Sequence, residues 1–213
     1  MKDSVAKPGR FSFLYAIVVA VAAVLFRTFM PVKYHNLERT RLDTPYILIA
    51  NHLSMIDPVI VGYGCRRHQI RFLGKADLTE NPILRFLFRS VHMISVRRYN
   101  TDMKALRACL KVLSDGNVLG VFPEGTRYKQ GVMEDMEGGV AMIALQSGAP
   151  ILPAYIQDKP KWFRTTHCYF GEVFSVSDIK AKGVNKDTAG EVLKRIRGIY
   201  RKFVQESAQT QRK

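Results

Sequence analysis

The sequence predicts an α/β fold: a single domain with a mixed, largely parallel sheet flanked by helices, preceded by an N-terminal membrane-associated helical segment. Three observations predict it. From residue 45 onward, short runs rich in aliphatic and β-branched residues alternate with segments of helical periodicity, the pattern left by helices packed on a sheet. The chain has 213 residues and is 47% hydrophobic, enough for one packed core and too little for two full domains. The run from Phe11 to Phe26 carries no charge, which marks the N-terminus as a segment apart.

That segment, residues 1–32, is expected to anchor the chain to a membrane, with residues 33–213 forming the domain. As a helix the uncharged run would be roughly 24 Å long, short of a hydrocarbon core of about 30 Å. A signal peptide with cleavage near Ala20-Val21-Ala22 would leave more apolar sequence at the new terminus. A short spanning anchor would have Arg27 snorkelling, yet Lys2, Lys7 and Arg10 on one flank and Arg27, Lys33 and Arg39 on the other give no orientation. A helix, or a helical hairpin bent near Arg27 and Pro31, that dips into one leaflet is the preferred form.

Strands are predicted at 46–50, 70–73, 93–96, 118–122, 151–156 and about 168–173. Helices are predicted to start at Asp57-Pro58 and at Asn81-Pro82, where a capping side chain precedes a proline. Others span about 101–113, stopping near Gly116, and about 138–146, with Gly148 beyond the end. Near the C-terminus Val192, Ile196, Ile199, Tyr200 and Phe203 recur at helical spacing, with Lys194, Arg195, Arg197, Arg201 and Lys202 between them. That is a basic amphipathic helix docking its apolar side on the domain.

Lys and Arg number 33 against 18 Asp and Glu, a formal +15, which favours polyanionic partners. No nucleic-acid motif accompanies the charge, and the apolar N-terminus points to a lipid bilayer as partner and to no nucleic acid. Cys65, Cys109 and Cys168 are far apart and odd in number, so neither a disulfide framework nor a metal site is expected. They fit a reducing environment and a place at the cytoplasmic face of the cell membrane.

Candidate chemistry lies at the strand ends, where α/β sheets carry their ligands. The run YILIA stops at Asn51-His52, and Asp57-Pro58 follows. On one continuous helix His52 and Asp57 would diverge by about 140°. Proline disfavours helical backbone in the residue before it, so Asp57 reads as an N-cap, and residues 51–56 as a tight connection that can fold His52 back. A carboxylate on one imidazole nitrogen would leave the other as a general base; a strand-end His beside an unrelated cap explains the spacing equally well. In FPEGTR, residues 122–127, Gly125 allows close approach of the backbone and Arg127 can grip a phosphate with a forked pair of hydrogen bonds. Lys75, Arg97 and Arg98 add cations at other strand ends.

These residues carry a resemblance. NHLSMID matches the NHxxxxD box of the glycerolipid acyltransferase family, FPEGTR matches its second hallmark, and GKADL, a strand ending in Arg, and ILPAYI fall in the family's order across about residues 46–157. The resemblance implies transfer of a fatty acyl group from acyl-CoA or acyl-carrier protein to the sn-2 hydroxyl of 1-acylglycerol-3-phosphate, a lysophospholipid, giving phosphatidic acid. It makes His52 the base and Asp57 its orienting partner. It places the acceptor against Glu124, Gly125, Thr126 and Arg127, with Arg98, Lys75 and Pro153 completing the pocket. It implies no cofactor, no metal and no acyl-enzyme, so neither Ser54 nor a cysteine is a nucleophile. His92 and Ser95 stand where the family has Gly and Phe, and Met136-Glu137 where Phe-Lys is common, differences that bear on the acceptor. A related acceptor, another lysophospholipid or hydroxylated lipid, is the alternative enzyme reading. A non-enzymatic basic protein binding membrane surfaces or nucleic acid is the alternative of another class, and it predicts salt-sensitive binding indifferent to His52.

Overall fold

A computed structural model describes residues 13–75, 93–96, 103–125 and 132–210. Strands β1 (Val32–His35), β2 (Ile47–Ala50), β3 (Ile70–Lys75), β4 (Ile94–Val96), β5 (Val118–Val121), β6 (Ile151–Ile156) and β7 (Thr166–Phe170) form one seven-stranded sheet in the order β1-β7-β6-β2-β5-β3-β4. Every pairing is parallel except β6 with β7. The sheet is thus mixed and largely parallel, as the alternation of elements required.

Helices α1 (Phe13–Thr28), α2 (Asp57–Gly64), α3 (Met103–Ser114), α4 (Gly139–Ser147), α5 (Ser177–Lys180) and α6 (Lys186–Thr210) flank it. The alternation of side chains along β2 assigns them to two layers. Ile47 and Ile49 point into a core shared with Val112 of α3, Ala141 and Leu145 of α4, and Val192 and Ile196 of α6. Tyr46, Leu48 and Ala50 point the other way, toward Ala22 and Phe26 of α1 and Ile60 and Val61 of α2. Because β2 is covered on both faces its sequence is continuously apolar, the signature of a buried parallel strand.

The outer elements differ more from expectation. Val32–His35 forms an edge strand that pairs with β7; the run is too short and too mixed to announce itself. The last strand runs Thr166–Phe170 rather than 168–173: the Gly171 amide still bonds the carbonyl of Pro153 opposite it, 2.8 Å away, but Pro153 has no N–H to return the bond and the ladder stops. The chain breaks near Pro31, as anticipated, but enters β1 instead of returning as a second helix. Among the described residues no helix is long and apolar enough to cross a membrane. The helix expected from Asn81-Pro82 lies outside the described residues.

The C-terminal helix docks as its periodicity requires: Val192, Ile196, Tyr200 and Phe203 are buried. Its cations face outward, where Arg195 pairs with Asp178, and Arg197 and Arg201 with Glu134. Tyr200 reaches furthest in. Its hydroxyl lies 2.9 Å from the carbonyl of Ile49 and 2.8 Å from that of Ala154, so one phenol bridges β2 and β6 just before the strand ends that build the site. Tyr200→Phe is expected to cost about 1 kcal/mol, measured as a midpoint lowered by roughly 2–4 °C; an unchanged midpoint would remove the bridge from the fold's support.

Candidate active site

β2 and β5 are adjacent and parallel, so the turns leaving Ala50 and Val121 emerge side by side. On the first, the carboxylate of Asp57 is fully buried and collects the donors around it. Its Oδ2 accepts from the amides of Leu53 (2.5 Å) and Ser54 (2.6 Å) and meets His52 Nδ1 at 3.0 Å. Its Oδ1 accepts from the Ser54 hydroxyl at 2.8 Å. The cap assignment for Asp57 is corrected here: Ile56 is the N-cap, and Asp57 is the first residue of α2. Its side chain turns back onto the loop instead of forward onto the helix. Satisfying so many loop donors at one buried anion outweighs the preference against helical backbone before proline.

The consequence for His52 follows from hydrogen-bond inventory. A carboxylate only accepts, so in the neutral imidazole Nδ1 carries the proton and Nε2 keeps its lone pair. The imidazole side chain keeps 18% of its surface exposed, so the ring is not sealed inside the fold. Its ring lies against Phe122, centroids 4.5 Å apart, and Phe122 is backed by Phe72 at 5.7 Å. Phe72 in turn lies over Gly120, where a Cβ would collide with its ring.

The second turn is tied to the first by Glu124. One carboxylate oxygen accepts from the His52 amide and the other from the Met133 amide, each at 2.8 Å. Burial pushes this carboxyl above its ordinary value of 4.5, while the two amide donors and His52 pull it back. Where the resemblance makes Glu124 an acceptor ligand, the structure gives both of its oxygens to backbone of this chain. Gly125 has φ +62, and a Cβ there would collide with the carboxylate of Glu137, so the divergent acid at 137 covers the glycine of the hallmark loop.

The structure therefore brings together His52, Asp57, Glu124 and Gly125. Pro153 is placed in β6, opposite Ile49 in register, and a Cβ on Gly171 would meet both its ring and Phe203 at 2.7 Å; it packs within the sheet layers. Lys75 ends β3, paired with Val96. Arg98, Thr126 and Arg127 lie outside the described residues. Two contributors stand inside the quoted motifs without an assigned role, Asn51 opening NHLSMID and Phe122 opening FPEGTR. Asn51 clamps the end of β6, its side chain accepting from the Ile156 amide at 2.8 Å and donating to the Ile156 carbonyl at 2.9 Å. Phe122 walls the imidazole. The position of each, immediately past a buried strand, was the available signal.

Alternative nucleophiles are accounted for. The Ser54 hydroxyl is spent on Asp57. The cysteines are buried, with burial pushing the thiols of Cys65 and Cys109 up to about 12 and that of Cys168 well above its ordinary value. Among the described residues no group of three or more His, Cys, Asp or Glu is placed to hold a metal ion.

A buried carboxylate orienting a strand-end imidazole, with a glycine loop from the neighbouring strand beside it on an α/β fold, is an arrangement suited to acid–base chemistry. Comparison with known proteins narrows this. The family model described as Acyltransferase matches residues 31–157, and the chain belongs to that family. A 1-acyl-sn-glycerol-3-phosphate acyltransferase of Bacillus subtilis (strain 168) is 29% identical over 126 residues, 59% of this chain and 62% of that protein. The match thus spans just under two thirds of the Bacillus relative. The protein of that name from Streptococcus pneumoniae (strain ATCC BAA-255 / R6) is 28% identical over 185 residues, 83% of this chain and 67% of its own. The crystal structure of the 1-acyl-sn-glycerophosphate (LPA) acyltransferase PlsC from Thermotoga maritima shares the fold, with a TM-score of 0.71 over 91% of this chain and 79% of that one, at 23% identity.

Glu124→Gln replaces one acceptor with a donor against a backbone amide. At pH 5 it is expected to lower unfolding free energy by about 1–3 kcal/mol, read by urea titration. A carboxyl raised by burial favours folding below 4.5 and loses that contribution as pH climbs through its raised value. The gap between wild type and variant should therefore narrow toward pH 7.5; no cost at either pH would contradict the tie.

Proposed function

We propose that this chain is a membrane-bound acyltransferase that moves a fatty acyl group from an acyl thioester, acyl-CoA or acyl-carrier protein, to the sn-2 hydroxyl of 1-acylglycerol-3-phosphate, giving phosphatidic acid. The single observation that carries the reading is the His52–Asp57 pair, 3.0 Å apart with the carboxylate buried, within the matched family segment. The names of the Bacillus and Streptococcus relatives support the acceptor.

In this reading the acceptor hydroxyl approaches Nε2 of His52. As its oxygen bonds to the thioester carbonyl carbon, Nε2 takes the proton, and the imidazolium that forms is stabilised by Asp57, already desolvated and oriented. Collapse of the tetrahedral intermediate breaks the carbon–sulfur bond, and the departing thiolate takes the proton back from Nε2. The products are the ester and a free thiol, with His52 restored. Asp57 holds the tautomer and Glu124 fixes the backbone of His52. The loop from Gly125 to Arg127, with Lys75 and Arg98, is assigned to the acceptor phosphate, for which a guanidinium is the matched donor.

Lysophosphatidic acid with acyl-CoA or acyl-carrier protein should yield phosphatidic acid with the purified protein, in preference to other lysophospholipids. His52→Ala should lower kcat by roughly two to four orders of magnitude while the chain stays folded, its melting midpoint lowered only by the loss of one donor to Asp57. Substantial transfer by that variant would sink the mechanism, and turnover of a different hydroxylated lipid alone would replace the acceptor.

A further inference from the structure

The stretch between β6 and β7 has no part in the chemistry above, yet it displays the most conspicuous apolar side chains outside α1. Trp162 is 61% exposed and Phe163 73% exposed. They are held outward deliberately. Phe163 has φ 58, a left-handed conformation costly for a bulky residue, and its amide donates to the carbonyl of Phe29 at 2.7 Å, while the Thr166 amide donates to that of Pro31 at 2.8 Å. The Phe29 ring meets Trp162 and Phe163 edge-on, at 5.9 and 6.1 Å. Two amides and an aromatic triad thus fasten the loop to the end of α1.

α1 is apolar until Arg27 and Thr28 at its end. Ala22 and Phe26 face the domain, whereas Phe13, Ile17, Val21 and Val24 are exposed within an arc of about 80° on the opposite side. Around the aromatic pair stand Lys159, Lys161 and Arg164, all exposed, against one acid, Asp158. Cations beside exposed aromatics suit an anionic lipid surface, the aromatics at the acyl boundary and the cations among headgroups. A second copy of this chain fits poorly, since it would bring another +15 of formal charge against those cations.

We propose that the loop between β6 and β7 is a second membrane contact, in which Trp162 and Phe163 enter an anionic lipid surface beside α1 while Lys159, Lys161 and Arg164 engage its headgroups. The loop leaves β6 at Ile156, the residue clamped by Asn51 next to His52. Seating it on the surface brings the catalytic turn to the interface from which a lipid acceptor enters. The inference deepens the proposed function, and rests on it only for the identity of that acceptor.

Trp162 is the chain's sole tryptophan, so its fluorescence reports this loop alone. With full-length protein and vesicles of phosphatidylcholine and phosphatidylglycerol, its emission should shift to the blue, lose access to acrylamide, and be quenched by lipids brominated on the acyl chain. Phe163→Ser should lower vesicle partitioning on the order of tenfold, and reversal of all three cations to Glu on the order of a hundredfold. Should Phe163→Ser fail to fold, brominated-lipid quenching of the wild type decides the matter. Protein that floats with vesicles while Trp162 stays water-exposed overturns the proposal, as does a blue shift that needs no lipid and grows with protein concentration. Quenching without acylation of lysophosphatidic acid would spare the anchor and sink the acceptor assignment. Acylation in detergent micelles with Trp162 left in water on vesicles would do the reverse.

Discussion

One buried carboxylate organises the turn between β2 and α2. Asp57 gathers two backbone amides, a hydroxyl and an imidazole around its two oxygens, and each of those donors belongs to the segment linking β2 to α2. An anion removed from water is tolerable only when its lone pairs are matched in this way. The same bonds that make its burial tolerable also dictate the course of the chain. The turn cannot open without leaving the charge unpaired, and while it is closed His52 has one tautomer and one orientation.

The rest of the site is arranged to hold that turn still. Glu124 reaches across from β5 to the amide of His52, Asn51 fastens the end of β6, and Tyr200 bridges β2 and β6 from the opposite layer. Each is a side chain satisfying backbone groups at the end of a parallel strand, where the ladder stops and donors and acceptors would otherwise be orphaned. In the proposed reaction that rigidity has a catalytic meaning, since a base acts efficiently only when it waits in place for the proton. Phe122 supplies a dry wall to the imidazole, which strengthens its interaction with the carboxylate.

The sequence was most legible where burial was most complete. β2, β5 and β6 are apolar without interruption because both faces are covered, and α4 ends at Gly148, whose φ of 69 only glycine adopts readily. Legibility fell at the edges. β1 reads as Val-Lys-Tyr-His, a strand only because β7 lies beside it, and β7 begins two residues before its expected start because Thr166 and His167 do not look like strand core. Within the site, the motifs located His52, Asp57, Glu124 and Gly125, but side-chain direction was beyond them. No pattern rule says that Asp57 bends back from its helix, or that Glu124 spends both oxygens on backbone; such facts are set by which donors happen to be orphaned nearby.

The central claim is that Asp57 leaves Nε2 of His52 as an unprotonated acceptor. The most direct test is the nitrogen chemical shift of the imidazole in protein labelled with nitrogen-15 at histidine, with the His52 signals assigned by their loss in His52→Gln. With the imidazole neutral, the account predicts a proton on Nδ1 and a pyridine-like Nε2, opposite to the tautomer free histidine prefers. A proton found on Nε2 would contradict it.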